Sequence, residues 1–374
     1  EKFEVNLDAY KLDPSENAQE IYKTRLADIT NWKKEARFLR AYYHFELIKR
    51  YGGIPIMTTA LSLDTDFEKI QRNSLQECVD FVVNECTVLG GEGPNGEEDA
   101  LPIVYNNDNL GRVTRGAALA LKSRLLLYAA SDLWNTESWA QGYSHPELIV
   151  LNKKDRKERW AEAAAAAKAV IDLSAQAGYE LMSRYTDLGK VYQSPELILV
   201  RRINGNTNTV QKEVTTYEKE NFPPRAGSGG GYINPSQNLV DAYEMTDGSK
   251  FDWNNPEHAA NPYANRDPRL ALTVYMNGAS FQNTTIETFE GGAHKNIKNG
   301  TLTGYYLRKF VDSNINLVTN GTSNHPWVIF RISEIYLNYA EALNESDPGN
   351  PDILIYANKA RERSDVKMTP ITDA

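Results

Sequence analysis

The chain has 374 residues, of which 41% are hydrophobic, and it carries a formal net charge of −9 at pH 7. Such a composition is typical of a globular protein that is long enough for a substantial core and for two lobes. The acidic balance argues against an electrostatic nucleic-acid footprint, so we predict no nucleic-acid partner. No apolar run approaches the about 20 residues that a membrane-spanning helix needs.

The two cysteines, Cys78 and Cys86, lie in a segment with a helical pattern. Their spacing corresponds to about 12 Å of helix, whereas a disulfide allows about 7 Å between Cα atoms. We therefore predict that both thiols are reduced, with Cys78 in the core.

Residues 35–55 carry the first strong helical pattern, which ends at Gly52, Gly53 and Pro55. At 100° per residue, its apolar side chains form two neighbouring arcs. The first arc contains Phe38, Tyr42 and Phe45, and the second contains Ala36, Leu39, Tyr43 and Leu47. The polar stripe contains Arg37, Arg40 and His44. We therefore expect this helix to be packed between other helices on both sides.

Further helical patterns follow along the chain. Ser74 is expected to cap a helix that runs to about Leu89, and Thr114 to cap the next one. Another helix is predicted at 157–177, ended by Gly178. Near the end of the chain, patterns at 327–344 and 352–363 flank a Pro-Gly turn and predict a helical hairpin of the tetratricopeptide type.

Long insertions separate these hairpins. Residues 195–203 predict a short strand, and residues 272–320 alternate short β-like runs with Asn/Gly turns. Residues 204–233 and 249–265 are predicted loops, rich in Asn, Gly and Pro. The predicted fold is mainly α, a helical-hairpin scaffold with an irregular, loop-rich second lobe that contains short β-strands.

Catalytic motifs are scarce in this sequence. The five histidines (His44, His145, His258, His294 and His325) show no zinc-binding spacing. The glycine run at 227–232 lacks the Lys-Ser/Thr of a phosphate-binding loop and is interpreted as a flexible turn. The Asn-rich turn at 106–109 has a hint of calcium spacing, but such turns need no metal. We predict no catalytic residues, no metal and no cofactor.

Loop-borne aromatic and amide side chains point instead to sugar binding. A pyranose offers an apolar C–H face to flat aromatic rings and a belt of hydroxyls to planar polar groups. The loop at 249–267 has this mixture. The candidate binding residues in and near it are Trp253, Tyr263, Asn265 and Arg266. A second candidate follows a helix end and comprises Trp139 and Tyr143, and Tyr232 is a third. Trp134, Trp160 and Trp327 are assigned to the helical scaffold, and Asp267 and Arg269 to a turn and helix start.

Six segments resemble signature segments of the SusD/RagB family and occur in the family's order. They are EARFLRAYYHFELIKRYGGIP (35–55), GRVTRGAALALKSRLLLYAASDLWN (111–135), RWAEAAAAAKAVIDL (159–173), NPSQNLVDAYEMTDG (234–248), YANRDPRLALTV (263–274) and WVIFRISEIYLNYAEALNE (327–345). The resemblance implies a single SusD-like domain over 1–374. Its tetratricopeptide-like scaffold would span about 14–190 and 326–365, and its loop-rich lobe about 195–325.

The resemblance also implies a function. Members of this family are non-catalytic glycan-capturing lipoproteins on the surface of the outer membrane, and they deliver an oligosaccharide to a TonB-dependent SusC-like transporter. Membrane attachment would occur only through an N-terminal lipid anchor that this chain does not contain, and we expect a mature, trimmed or partial chain. Two alternatives stay open from the sequence: a glycoside hydrolase, and a tetratricopeptide-type scaffold that binds peptides or proteins.

Overall fold

A computed structural model describes residues 11–106, 109–151, 154–188, 190–191, 193–202, 217–224, 229–295, 297–316 and 326–373. The described chain is mainly helical, with a few short strands. It divides into two compact units. The helical unit comprises Glu1–Gly178 and Glu334–Ile353, and the loop-rich unit comprises Tyr179–Ser333 and Leu354–Ala374. No described helix is long and apolar enough to cross a membrane.

The helical unit is built from long helices that pack on their neighbours in the chain. These helices are α1 (Glu16–Tyr51), α2 (Leu75–Leu89), α3 (Arg115–Ala130), the short α4 (Asp132–Asn135) and α5 (Arg156–Ala177). In this order α1 packs on α2, α2 on α3, and α3 on α5. The arrangement confirms the predicted mainly α fold with stacked helices.

Local sequence signals set the bounds of these helices. Ser74 and Glu77 form a capping box at the start of α2, each side chain bonding the other residue's backbone N–H. Gly178 ends α5 in the left-handed conformation, with φ of 71°. Thr114 precedes α3 as predicted, but its side chain makes no capping hydrogen bond.

The long helix α1 buries only one of its two apolar arcs. Phe38 and Phe45 are at most 1% exposed and belong to the core. The second arc faces outward, since Leu39 is 43%, Tyr43 61% and Leu47 45% exposed. The expectation that neighbours cover both arcs was wrong, because a hydrophobic period shows which side chains share a face but not whether a neighbour lies against it.

The polar stripe of α1 faces α2 and the chain that follows α1. Arg37 and Arg40 both donate to the carboxylate of Glu85 on α2, at 3.0–3.1 Å. His44 is buried, and its Nε2 accepts the backbone N–H of Met57 at 3.1 Å. Its Nδ1 therefore carries the proton and donates to the Arg40 carbonyl at 2.7 Å.

Among its described residues, the loop-rich unit has three two-stranded antiparallel sheets. They pair β1 (Leu197–Arg201) with β6 (Trp327–Arg331), β2 (Val274–Tyr275) with β5 (Tyr306–Leu307), and β3 (Ser280–Phe281) with β4 (Thr284–Thr285). Its short helices are α6 (Tyr217–Asn221), α7 (Gln237–Asp241), α8 (Pro256–Ala260) and α9 (Pro268–Thr273). The strand predicted at 195–203 and the β-like runs within 272–320 are confirmed by β1, β2 and β5.

The helix predicted from Trp327 starts later than expected. Trp327 is the first residue of strand β6, and α10 (Ile332–Ser346) begins only after it. The assignment of Trp327 to a buried helical face was therefore wrong, since the residue is 60% exposed. The reason is tertiary: the run Trp327–Arg331 pairs with β1, and the sequence of either strand alone does not reveal its partner. Trp160 is 5% exposed, as predicted for a core residue.

The last helix, α11 (Pro351–Lys359), is shorter than the predicted 352–363. The residues beyond it serve other contacts. Arg361 donates to the Thr369 carbonyl and to Glu244, and Arg363 forms a two-bond pair with the buried Glu196. These side chains fix the C-terminal segment within the loop-rich unit, to which it belongs.

Candidate functional site

Trp253 is an exposed aromatic side chain that neighbouring groups hold in place. It is 48% exposed, and its indole N–H donates to Asp241 Oδ2 at 3.1 Å. The ring of Phe251 meets it edge-on, with centroids 5.0 Å apart. The indole therefore presents part of its surface to solvent with its orientation set from two sides. A flat, pre-oriented ring of this kind suits the apolar face of a sugar.

We call Trp253, together with the Phe251 ring that meets it edge-on, the Trp253 platform. Arg266 lies beneath this platform. It is 5% exposed, and its guanidinium stacks over the Phe251 ring at 4.0 Å. Its nitrogens donate to the carbonyls of Val240, Tyr243 and Pro262 at 2.6–2.8 Å. Arg266 thus joins helix α7 to the following loop and supports Phe251, and through Phe251 it supports Trp253.

Asn265 supplies backbone geometry at the same place. Its φ of 54° is left-handed, a conformation that Asn adopts more readily than most residues. Its carbonyl accepts the backbone N–H of Thr246 at 2.7 Å. The residue therefore turns the chain between the loop and α9, where Asp267 caps the helix and pairs with Arg269 as predicted.

Tyr263 is only partly available for contact. It packs against a small core formed by Val240, Leu270, Val274, Met276 and Tyr305. Its hydroxyl donates to the Tyr305 hydroxyl at 3.3 Å, and that hydroxyl donates to Gln237 at 2.8 Å. Burial, together with the hydrogen bond to Tyr305, raises the pKa of Tyr263. Through Gln237 and α7, Tyr263 is linked to the element that carries Asp241.

Tyr232 lies on another exposed stretch of the loop-rich unit. It is 70% exposed, and Ile233 beside it is 47% exposed. The side chain of Asn234 accepts the N–H of Leu302, which is 90% exposed, at 3.0 Å. These contacts bring three solvent-facing apolar side chains into one neighbourhood.

The glycines before Tyr232 pack closely. A Cβ at Gly231, whose φ is 56°, would lie 2.8 Å from the Asn299 carbonyl oxygen. The backbone N–H of Gly231 donates to Phe222 and that of Tyr232 to Glu220, at 3.0–3.1 Å. The described part of the predicted flexible turn is therefore anchored, which corrects that interpretation; residues 227–228 lie outside the described chain.

Trp139 and Tyr143 belong to the helical unit. Trp139 falls in a single turn of 3-10 helix, Glu137–Ala140, and its side chain lies outside what the structure describes. Tyr143 is 43% exposed, and its ring meets His145 edge-on at 6.4 Å. His145 in turn lies 3.3 Å from the carboxylate of Glu147.

Several contributors to the Trp253 platform were not predicted from the sequence. Phe251, Asp241 and His258 all contact it or its support, the His258 ring being stacked on Phe251 at 5.5 Å. Phe251 could have been found from its alternation with Trp253. Asp241 comes from a separate helix, and no local signal marks it.

Acidic and amide groups lie beside Trp253 in the chain and at the edge of its indole. Asp252 accepts hydrogen bonds from the backbone and side chain of Asn254 at 2.8–2.9 Å, and Asp241 lies on the indole edge. Within the part of the chain that the structure covers, no group of three or more His, Cys, Asp or Glu is placed to hold a metal ion. Residues 107–108 of the Asn-rich turn are not described.

The described chain is mainly helical and carries an exposed, braced aromatic side chain, Trp253, on one of its loops. Comparison with known proteins gives the family. A sequence model of the SusD family matches residues 195–374, and a second model, described as starch-binding associating with outer membrane, matches residues 10–127. Together they cover most of the chain, which belongs to the SusD family. The predicted resemblance is confirmed.

Solved structures of related proteins share this fold. A SusD-like protein from Bacteroides fragilis is 26% identical with a TM-score of 0.65, over 92% of this chain and 63% of that one. A SusD-like carbohydrate binding protein from the same species is 23% identical with a TM-score of 0.72, over 92% and 61%. Surface glycan-binding protein A from Bacteroides uniformis is 15% identical with a TM-score of 0.59, over 98% and 64%.

The chain thus spans about three fifths of the length of the first two relatives. A search of curated proteins found no match.

Proposed function

We propose that this protein binds a glycan at the cell surface without chemical turnover, with the Trp253 platform as its contact surface. The observation that carries the proposal is the geometry of Trp253: an indole that is 48% exposed yet fixed by Asp241 and Phe251. Two relatives of the same fold are described as carbohydrate-binding and glycan-binding, which supports the class of ligand.

On this proposal the candidate binding residues divide into two roles. Trp253 contacts the sugar face, and the solvent-facing Tyr232 is a second contact on the loop-rich unit. Tyr143, with the candidate position 139, belongs to the helical unit and would be a separate contact. Tyr263, Asn265 and Arg266 position the platform, since Tyr263 and Arg266 are engaged in the core and Asn265 turns the backbone.

The proposal includes a place for the protein in uptake. The second family model is described as associating with the outer membrane. We propose a surface lipoprotein that hands its oligosaccharide to a TonB-dependent SusC-like transporter. Co-purification of the full-length protein with such a transporter from membranes tests this part separately from glycan binding.

Glycan binding and hydrolysis are distinguished by one experiment. The protein is titrated with a panel of neutral and acidic oligosaccharides by isothermal titration calorimetry, and the same mixtures are assayed for new reducing ends. We expect saturable binding to at least one glycan and no increase in reducing ends. Release of reducing ends would support a glycoside hydrolase instead, and the absence of binding to every glycan would contradict the proposal.

A further inference from the structure

A cavity of about 350 Å³ opens between α2, α3 and α5 of the helical unit. This volume lies at the small end of the range for ligand sites. Its apolar lining, as far as the structure describes it, is aliphatic. Representative side chains are Val79, Val83, Leu126, Ala130, Leu151 and Ala166. A surface without aromatic rings suits a branched aliphatic group better than a sugar face.

Two buried polar atoms in the cavity lining have no hydrogen-bond partner among the residues described. They are Oδ1 of Asn135, an acceptor, and Nε of Arg159, a donor. The amide nitrogen of Asn135 is occupied by the carbonyls of Ala129 and Ser131, both at 2.7 Å. Leaving such atoms unpaired is costly, so a ligand that pairs them gains affinity.

The two atoms belong to chain segments that contact each other. The Leu151 N–H donates to the Trp134 carbonyl at 2.6 Å, next to Asn135. Arg159 donates to the Lys154 carbonyl at 2.6 Å, three residues beyond Leu151. Asn135 and Arg159 both line the cavity, and the segments that carry them lie near each other.

The charges at the cavity rim balance. Lys122 pairs with Glu92 at 2.6 Å, and Lys154 pairs with Glu162 at 2.5 Å. The remaining lining charges are Asp80 and Arg159, one of each sign. An uncharged ligand fits this surface better than an ion or a fatty acid carboxylate.

We propose that this cavity binds an uncharged peptide segment through one branched aliphatic side chain. The side chain occupies the aliphatic wall, and the adjoining peptide groups donate to Asn135 Oδ1 and accept from Arg159 Nε. Peptide groups carry an N–H donor and a C=O acceptor, which match the two unpaired atoms. This site is independent of the proposed glycan surface.

The test uses N-acetyl-L-leucine amide as the probe and N-acetylglycine amide as its analogue without the side chain. Binding is followed by ligand-detected saturation-transfer NMR in a concentration series. Ala165→Leu blocks the cavity, because Ala165 is exposed on α5 and lines it. Ala161→Leu is the matched control, because Ala161 is exposed on the same helix and is not part of the lining. Ala165→Gln is a second blocking variant.

We expect saturable binding of the leucine compound in the millimolar range, as its size dictates. Binding should be at least tenfold weaker in both Ala165 variants and unchanged in Ala161→Leu, with all variants folded by circular dichroism. The proposal is overturned if the leucine compound does not saturate, if the glycine analogue binds equally well, or if folded Ala165 variants bind like the parent protein.

Discussion

At the scale of single residues, a buried carboxylate, that of Glu196, holds separate chain segments together. Glu196 is fully buried and accepts hydrogen bonds from Arg363, Ser333 and the Met182 N–H at 2.7–3.0 Å. Burial raises its pKa, but the hydrogen bonds and charge of Arg363 outweigh this and hold the pKa below its usual value. This carboxylate therefore ties the C-terminal segment to the start of β1.

Replacing this buried carboxylate should be severely destabilising. Glu196→Gln keeps the shape but leaves Arg363 without its countercharge, and we expect a loss of about 3–5 kcal/mol in the free energy of unfolding. Urea denaturation measures it, with the exposed Glu257→Gln as control. A loss no larger than in the control would show that Arg363 is solvated rather than paired.

The indole N–H of Trp253 donates to Asp241, so the role of Asp241 in orienting the ring can be tested. Asp241→Ala removes the hydrogen bond from the Trp253 indole and an exposed one from Gln237 Nε2. Loss of the first, worth about 0.5–1.5 kcal/mol, should weaken glycan binding about two- to tenfold with little change in stability. Calorimetric titration with the glycan found in the panel measures it. Asp247→Ala, the same charge change on a nearby exposed turn, is the control. Equal losses in both would assign the effect to net charge.

The exposed residue of this platform was predictable from the sequence, but the roles of the residues that support it were not. Trp253 stood out because an aromatic side chain in an Asn- and Pro-rich loop has few places to be buried. Asp241 and Arg266 could not be assigned their roles, because the contacts that define them join separate segments. The exposure of a side chain can be inferred from its neighbours in the sequence. The contacts that hold it in place depend on the tertiary fold.

At the scale of elements, helix caps and hydrophobic periodicity could be predicted from the sequence. Which elements pack against each other could not. The capping box at Ser74 and the end of α5 at Gly178 follow from adjacent residues. The exposed arc of α1 and the strand at Trp327 were missed because both depend on what lies against them. Short-range chemistry therefore predicted element bounds better than element neighbours.

Two glycines with left-handed backbone, Gly178 and Gly231, allow the cost of backbone strain on substitution by Ala to be compared with the cost of a steric clash. Gly178 has open space where a Cβ would sit, so Gly178→Ala should cost about 1 kcal/mol from backbone strain alone. Gly231→Ala adds a clash with the Asn299 carbonyl and should cost about 1–3 kcal/mol more. Thermal unfolding of the two variants compares them. Equal losses of stability in the two variants would mean that the loop before Tyr232 rearranges without cost to relieve the clash.

At the scale of the whole molecule, the fold class was predictable because helical periods recur along most of the chain. The pairing of β1 with β6 was not, because the two strands are separated by more than a hundred residues and each is only five residues long. The family resemblance predicted the architecture that local patterns could not, but it did not predict which loop residues would bind a ligand.

Acid should destabilise the whole molecule. Burial opposes ionisation of Glu85 and Glu196, yet their arginine partners hold both pKa values below the usual 4.5. A depressed carboxylate pKa contributes stability that is fully present above the unfolded value and is lost as pH falls through the folded value. We expect the unfolding midpoint in urea to drop progressively from about pH 5 to about pH 3. A midpoint that is constant or rises over this range would contradict these ion pairs.

The central claim, that the Trp253 platform binds the glycan, is tested most directly by comparing two exposed tryptophans of the loop-rich unit. Trp253 is 48% and Trp327 60% exposed. By analogy with ring stacking on nucleobases, removal of a stacked indole costs about 1–3 kcal/mol. In calorimetric titrations, Trp253→Ala should therefore lower the glycan affinity at least about fivefold, while Trp327→Ala leaves it unchanged. Unchanged affinity in a folded Trp253→Ala protein would contradict the account.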